Sequence, residues 1–161
     1  MTLDKDVAWL ARTRPFNFLP REAVQLVAFS CEKRRLCAGD ALFSPGEVGD
    51  AGYFVLSGAI LLTEDGAKPK SMRRARAGAL VGESALYAPI VRRVEARAAE
   101  DTVVMRVQRE TFHRVLVEFP EAAGKVRAAL SARMRKLVDG LDAIRTNSFG
   151  GVGEPDPQAA P

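Results

Sequence analysis

Residues 81–96 read Val-Gly-Glu-Ser-Ala-Leu-Tyr-Ala-Pro-Ile-Val-Arg-Arg-Val-Glu-Ala, and this stretch organises the interpretation of the whole chain. Gly82 lets the backbone approach a ligand closely because it has no Cβ, and Glu83 can accept hydrogen bonds from a sugar hydroxyl. The turn from Ser84 to Tyr87 predicts free N–H groups at a helix start, where an anion is favoured. Arg92 adds a permanent charge and a planar set of donors for phosphate oxygens. The stretch therefore predicts a site for a small sugar phosphate.

This stretch resembles the phosphate-binding cassette of the cyclic nucleotide-binding domain family. That family's pattern is Phe-Gly-Glu, a small apolar turn, and then Arg-x-Ala-Thr or similar, and the spacing from Gly82 to Arg92 is the one found in many members. The resemblance implies that Arg92 holds the cyclic phosphate and that Glu83 contacts the ribose 2′-hydroxyl. The residues implied to contact the nucleotide are Val81, Gly82, Glu83, Ser84, Ala85, Arg92, Arg93, Val94, Arg127 and Leu130.

The cassette departs from the family pattern at several positions. Val81 stands where the family usually has Phe, and Ser84 stands where an aliphatic residue is common. After the arginine the family has small residues and then Ser or Thr, whereas this chain has Arg93, Val94 and Glu95. These departures leave an alternative open, in which the same fold acts as a dimerisation or docking module without nucleotide. Glu95 motivates that alternative, since it places a negative charge near the phosphate position.

The residue after the cassette arginine bears on the choice of base. Members of the family that favour cGMP often carry Thr there, which bonds the syn guanine, and this chain has Arg93. The resemblance therefore implies cAMP as the ligand, with cGMP less favoured. No prosthetic group is expected.

The resemblance extends beyond the cassette, from about residue 15 to about residue 120. Glycine-containing turns at Gly39-Asp40, Gly46, Gly49-Asp50 and Gly58 stand in the same register as in the family, as does the aromatic-aliphatic strand from Tyr53. Short apolar runs separated by Gly, Pro and Asp are also typical of a compact β sandwich or roll. The predicted fold is mainly β with flanking helices: an antiparallel β-roll (a double-stranded jelly roll) with N-terminal helices, a cassette helix and a long C-terminal helix.

The chain is divided by these patterns into segments. Residues 2–14 predict a helix with Thr2 as N-cap, and Pro20 stands at the favoured first position of a second helix. The basic run Lys68–Arg76 is interpreted as the solvated far side of a hairpin. The predicted ranges are 1–31 for the N-terminal helices, 32–108 for the roll with its cassette at 81–96, 109–145 for the C-terminal helices, and 146–161 for a disordered tail.

A helix predicted from Glu121 to Arg145 carries an apolar seam at alternating spacings of four and three. A homodimer seam and an amphipathic helix lying on its own domain both fit this pattern. In similar domains this helix also closes as a lid over the base, and Arg127 and Leu130 are the residues implied to do so. The seam residues are Leu130, Met134, Leu137, Leu141 and Ile144. Too few residues follow this helix for the helix-turn-helix of the family's transcription factors, so no DNA-binding domain is expected, and the downstream protein is unknown.

Composition narrows the remaining classes. The 161 residues suit one domain; no apolar run is long enough to cross a bilayer, and the acidic N-terminus is unlike a signal peptide, so a cytoplasmic protein is expected. The net charge of +4 fits nucleic acid, a membrane surface or an arginine-rich solvated surface, and the last is favoured because the basic run lacks aromatic residues. His113 is the only histidine, and Cys31 and Cys37 have no activating neighbours in sequence. The protein is therefore predicted not to be an enzyme.

Overall fold

The computed structural model describes residues 2–64 and 72–149, of which 142–149 by backbone alone. The helices are α1 (Leu3–Leu10), α2 (Arg21–Ser30), α3 (Arg109–Glu118) and α4 (Pro120–Phe149), with 3₁₀ helices at Phe16–Phe18 and Glu83–Leu86. The strands are β1 (Glu32–Leu36), β2 (Ala41–Phe43), β3 (Val48–Gly49), β4 (Ala51–Ser57), β5 (Ala59–Glu64), β6 (Met72–Arg76), β7 (Leu80–Val81), β8 (Ile90–Val91), β9 (Val94–Ala98) and β10 (Thr102–Gln108). The chain divides into two compact units, Met1–Ala123 and Gly124–Pro161.

The first unit is an antiparallel roll with helices beside it. One sheet has the strand order β1-β10-β4-β7, a second has the order β2-β9-β5-β6, and β3 pairs with β8. Central strand β4 reads Ala-Gly-Tyr-Phe-Val-Leu-Ser and is buried at every position except the last, because both of its faces are covered. The predicted fold class, a mainly β roll with flanking helices, is confirmed.

Two apolar clusters hold this unit together. The first joins α1, α2 and α3 to one side of the roll, and in it the rings of Phe16 and Phe112 meet edge to face at 5.8 Å. The second fills the interior between the sheets and includes Phe43, Ile60 and Ala96. Burying each large side chain contributes about 1.5–3 kcal/mol, so these clusters fix where the cassette lies between helices and roll.

The N-terminal helices are shorter than the sequence predicts. The first ends at Leu10 rather than at residue 14, because Arg12 and Thr13 bond carbonyls three residues back and Pro15 follows. Thr2 occupies the N-cap position without a side-chain hydrogen bond. Pro20 precedes α2 with an extended ψ of 160° and is not its first helical residue. The buried apolar faces consist of Val7 and Leu10 in α1 and of Ala23, Val24, Val27 and Ala28 in α2.

Two further predictions are also wrong: the extent of the loop after β5 and the end of the long C-terminal helix. Met72–Arg76, taken as part of a solvated loop, is a strand paired with β5 along its whole length. The long helix runs from Pro120 to Phe149, so it continues past the predicted end at Arg145 into residues assigned to a disordered tail. Residues 65–71 of the predicted loop and 150–161 of the predicted tail lie outside the described residues.

Candidate nucleotide site

The cassette is built around one left-handed residue. Strand β7 ends at Val81, which is buried in the roll interior, and Gly82 follows with φ 71° and ψ 34°. Glycine adopts this conformation without the steric cost of a Cβ. A 3₁₀ helix then buries Ala85 and Leu86, and β8 leads to Arg92. The local sequence thus turns the chain so that Gly82 and Arg92 meet.

Arg92 is folded into the roll rather than extended into solvent. Only 5% of it is exposed. Its Nη2 donates a hydrogen bond to the carbonyl of Ala51 at 2.6 Å, and its Nη1 lies at a long 3.5 Å from the carbonyl of Gly82. The guanidinium carbon is 4.2 Å from the centroid of the Phe43 ring, which places the cation over an aromatic face.

Two glycines make room for this arginine. A Cβ at Gly49 would lie 2.7 Å from both Cζ and Nε of Arg92, and a Cβ at Gly82 would overlap its Nη1. Real Cβ atoms do not approach other atoms so closely, so either substitution would displace the guanidinium. Gly49 and Gly82 therefore leave the space that the guanidinium of Arg92 occupies.

The buried Arg92 charge has no acidic partner in the described part of the chain. None of the ion pairs found there includes it. Asp50, the acid of the adjoining turn, is paired with Arg106 at 2.7 Å. Desolvation by burial lowers the pKa of Arg92, while Tyr53, Asp50 and Glu47 act in the opposite direction. A buried cation held by carbonyls and a ring suits an added anion, because buried charges are normally paired.

Glu83 follows Gly82 at the start of the 3₁₀ helix and is half-buried. Its Oε1 accepts a short hydrogen bond from the hydroxyl of Tyr87, four residues along. The prediction of free N–H groups from Ser84 to Tyr87 is partly wrong, because the N–H of Ala85 bonds Gly82 and that of Tyr87 bonds Ser84. The tight 3₁₀ hydrogen bonding of this turn therefore uses donors that the sequence assigned to the ligand.

Arg109 is a site residue that sequence reasoning missed. Its Nη1 donates to the carbonyl of Gly49 at 2.9 Å and to that of Ala85 at 3.3 Å, and its backbone N–H donates to the carbonyl of Asp50 at 2.8 Å. The first residue of α3 thus joins the strand that covers Arg92 to the cassette turn. No local pattern signals this role, since in sequence Arg109 only marks the start of a helix.

The residues after Arg92 take different directions. Arg93 is exposed, and Val94 packs half-buried against the roll interior. Glu95 is paired with Arg97, whose Nη1 also donates to the carbonyl of Gly39 at 2.9 Å. The charge of Glu95 is thereby opposed within its own strand, which weakens the electrostatic objection to a phosphate beside Arg92.

The two predicted lid residues belong to the second unit. Arg127 is exposed and Leu130 is half-buried there. Their contact with a base stays a prediction, as does the seam. The described seam positions beyond Leu130 are strongly exposed: Met134 at 64%, Leu137 at 64% and Leu141 at 65%. The side chain of Ile144 lies outside the described residues.

Two other kinds of feature, a metal cluster and a membrane-spanning helix, are absent from the described residues. Residues 2–64 and 72–149 contain no group of three or more His, Cys, Asp or Glu side chains placed to hold a metal ion. None of the helices described is both long enough and apolar enough to cross a membrane.

Curated proteins and solved structures include relatives that are similar to this chain in sequence and fold. The cyclic AMP receptor protein of Thermus thermophilus is 30% identical over 131 residues, which cover 80% of this chain and 61% of that protein. A solved cyclic nucleotide-binding-like protein from Brucella abortus is 34% identical with a TM-score of 0.64, over 70% of this chain and 98% of the other. The N-terminal domain of a transcriptional regulator from Streptomyces coelicolor is 26% identical with a TM-score of 0.74, over 83% and 94% of the two chains. The chain thus spans less than two thirds of the Thermus receptor.

The family model for the cyclic nucleotide-binding domain matches residues 33–119, more than half of the chain. That span includes the roll, the cassette and Arg109, so the family predicted from the cassette and the glycine turns is confirmed. The chain belongs to the cyclic nucleotide-binding domain family.

Proposed function

We propose that this chain is a receptor domain that binds cAMP at residues 81–96 and passes the binding event to another protein without catalysing a reaction. The observation that carries the proposal is Arg92, a cation only 5% exposed with no acidic partner in the described residues. Removing a charge from water is costly unless an opposite charge compensates it. A cyclic phosphate supplies one negative charge of the right geometry for a guanidinium.

The proposed binding mode assigns a role to each polar group. The phosphate oxygens accept hydrogen bonds from Arg92. The contact between its Nη1 and the carbonyl of Gly82, at 3.5 Å, is the weakest of its present contacts and is the one that the phosphate replaces most easily. Glu83 accepts a hydrogen bond from the ribose 2′-hydroxyl, while the hydrogen bond from the Tyr87 hydroxyl holds its carboxylate in place. The names of two relatives support the choice of nucleotide, since one is a cyclic AMP receptor protein and the other is the cAMP-dependent protein kinase regulatory subunit of Yarrowia lipolytica. cGMP is the second candidate ligand.

The proposal also includes a homodimer and a cytoplasmic location. Along α4 the side chains of Met134, Leu137, Val138 and Leu141 are all more than half exposed. Burying this stripe against a second copy would remove apolar area from water, at about 25 cal/mol per Å². Replacing Leu137 by Glu should convert a dimer to a monomer in analytical ultracentrifugation, because the new charge would have to be desolvated. A wild-type chain that is monomeric at high concentration would contradict the dimer.

A module that docks without nucleotide is the second candidate. One observation favours it: Arg92 already has a carbonyl at 2.6 Å and a ring beneath it, so the fold does not depend on a ligand to place this side chain. The exposed Arg93 also departs from the small residues of the family.

Calorimetric titration with cAMP separates the two candidates. Arg92→Ala should weaken binding at least about tenfold, since tenfold corresponds to about 1.4 kcal/mol. Arg35→Ala is the matched control, because it removes an exposed arginine from edge strand β1. Equal affinity of wild type and Arg92→Ala would contradict the assignment, and no heat with either cAMP or cGMP would favour the docking module.

A further inference from the structure

An apolar groove lies open between the first two helices of the first unit. It has a volume of about 400 Å³ and is lined by residues of α1 and α2, among them the buried Val7. Leu3, Leu26 and Phe29 also line it, and they are 46%, 43% and 80% exposed. Single exposed apolar side chains are ordinary on a protein surface. Three of them around one concave site are typical of a surface that binds a partner.

The residue pattern of the two helices explains why this groove stays open. One face of α2 is buried in the apolar cluster that it shares with α3. Glu22, Leu26 and Phe29 follow one another at spacings of four and three residues, so they lie together on the other face. In α1, Val7 packs into the cluster, whereas Leu3, one turn earlier, is left at the surface. Both helices therefore bury one face and leave apolar residues beside it uncovered.

The charged residues of the groove are acidic. Asp4 and Glu22 line it, and no Lys or Arg of the described chain does so. Neither acid is in an ion pair with any residue that the structure describes. The whole chain carries a net charge of +4, so the sign of the charge at the groove is opposite to that of the chain. Opposite charges across an interface favour the correct partner and suppress others, so the groove is suited to a basic partner.

A second copy of the same face is a poor occupant of the groove. In a twofold dimer one surface patch serves both subunits, so the groove would meet an identical groove. Asp4 and Glu22 of one copy would then approach the same acids of the other copy, and like charges brought together at an interface are unfavourable. The charge pattern therefore favours a different protein.

We infer that this groove docks an amphipathic α-helix of another protein, whose apolar anchors are flanked by Lys and Arg. Such a helix presents anchors at positions i, i+3 or i+4, and i+7, and a hydrophobic groove receives them. The anchors pack against Leu3, Leu26 and Phe29, while the basic flanks lie beside Asp4 and Glu22. None of these residues belongs to the cassette at 81–96, so the inference goes beyond the proposed nucleotide function and does not require it.

Fluorescence anisotropy with three synthetic peptides tests the groove on the full chain. The first peptide carries leucines at i, i+3, i+4 and i+7 with lysine flanks. The second has the same leucines with glutamate flanks, and the third is a scramble of the first. The lysine peptide should bind at least about tenfold more tightly than either of the others, since it alone combines the apolar face with the opposite charge.

Three variants of the chain locate the contact. Phe29→Ala should weaken binding of the lysine peptide by about tenfold, because aromatic side chains often dominate the affinity of such sites. Val117→Ala is the matched control, since Val117 on α3 is 81% exposed and does not line the groove. Glu22→Lys should weaken the lysine peptide and strengthen the glutamate peptide, a reversal that a loss of folding would not produce.

Equal binding of the lysine peptide and its scramble, an unchanged affinity in Phe29→Ala, or no binding at about 1 mM would overturn the inference. Analytical ultracentrifugation checks the second copy as occupant, because Phe29→Ala should keep the oligomeric state of the wild type. If Phe29→Ala converted a dimer to a monomer, the groove would belong to a second copy and the inference would be wrong. Failure of the wild type to bind any cyclic nucleotide would contradict the proposed function alone.

Discussion

Asp6 and Arg92 are the two charged side chains buried in the described residues, at 1% and 5% exposure, and their surroundings differ. Lys33 Nζ lies 2.6 Å from Oδ2 of Asp6, although neither carboxylate oxygen makes an aligned hydrogen bond. Arg92 has carbonyls and an aromatic ring instead of a counter-ion. The chain neutralises the acid itself, whereas the cation has no acidic partner among the described residues and is proposed to meet the phosphate of a nucleotide.

This difference separates a charge that is paired within the chain from a charge that is proposed to bind the nucleotide. The pair of Asp6 and Lys33 joins α1 to β1, so it ties the N-terminal helices to the roll. The guanidinium of Arg92 lies against two glycines, which leave room for it, and over the ring of Phe43. Changes at the first should alter stability with little effect on nucleotide affinity, and changes around the second should do the reverse.

The largest effect is expected from Lys33→Met, which leaves Asp6 buried without its partner. Breaking a buried pair costs about 3–5 kcal/mol; because Lys33 is 45% exposed, we expect about 2 kcal/mol. Urea denaturation measures the loss, and the double variant Asp6→Leu with Lys33→Met should recover most of it. Unchanged stability in Lys33→Met would show that water already screens the pair.

Gly49→Ala should act on the other charge. Its new Cβ would meet the flexible end of Arg92 rather than backbone, so the arginine moves and the fold survives. We expect cAMP affinity to fall about tenfold, which is about 1.4 kcal/mol. Gly124→Ala is a suitable control because a Cβ there meets nothing within 4 Å. A thermal midpoint that fell as far as that of Lys33→Met would remove the distinction between the two regions.

A smaller effect is expected from Arg109→Leu, which removes the donor shared by Gly49 and Ala85. Hydrogen bonds from charged donors contribute about 1.5–3 kcal/mol when buried, and Arg109 is only half-buried, so about 1 kcal/mol of binding free energy is expected. Arg109→Lys should restore part of the affinity in the same calorimetric titration. If the variant lost stability without losing nucleotide affinity, the role of Arg109 would be structural, like that of Asp6, and it would not support the position of Arg92.

The smallest effect concerns Cys31, which lies between α2 and the strand that carries Lys33. Burial raises the pKa of its thiol to about 12, so at about pH 8 almost none of it is reactive thiolate. Its contribution to stability is complete below the ordinary value of 9.0 and is lost as the pH rises towards about 12. Alkylation followed by mass spectrometry should modify the exposed Cys37 first. Lys33→Met should speed modification of Cys31, and Arg92→Ala should not.

The roll and its cassette were predictable because local chemistry specifies them. A left-handed turn needs glycine, and Gly82 with its acid and its arginine stands in one short segment. The strand at Met72–Arg76 was missed because its basic residues hide the alternation that signals a strand, and only pairing with β5 reveals that Arg73 and Ala75 share the inner face. The end of α1 was overestimated because Arg12 and Thr13 bond carbonyls three residues back, a change of backbone hydrogen bonding that the side-chain pattern does not show.

The geometry around Arg92 could not be predicted from any local stretch. Its contacts come from Phe43, Gly49 and Ala51, which lie some forty or more residues earlier in the chain. The role of Arg109 depends in the same way on carbonyls from two distant elements. Sequence reasoning therefore found the groups that are proposed to meet the nucleotide and missed the groups that hold them in position.

The two glycines beside Arg92, Gly49 and Gly82, differ in the reason why each position excludes a larger residue. Gly82 has φ 71°, so its backbone demands glycine whether or not a ligand binds. Gly49 has no such backbone requirement, and only the arginine lying against it excludes a side chain. Selection on folding preserves the first, whereas selection to keep the arginine in place preserves the second. Among descendants of this domain, a larger residue at the position of Gly49 would mark the lineages in which the proposed phosphate contact of the arginine has been lost.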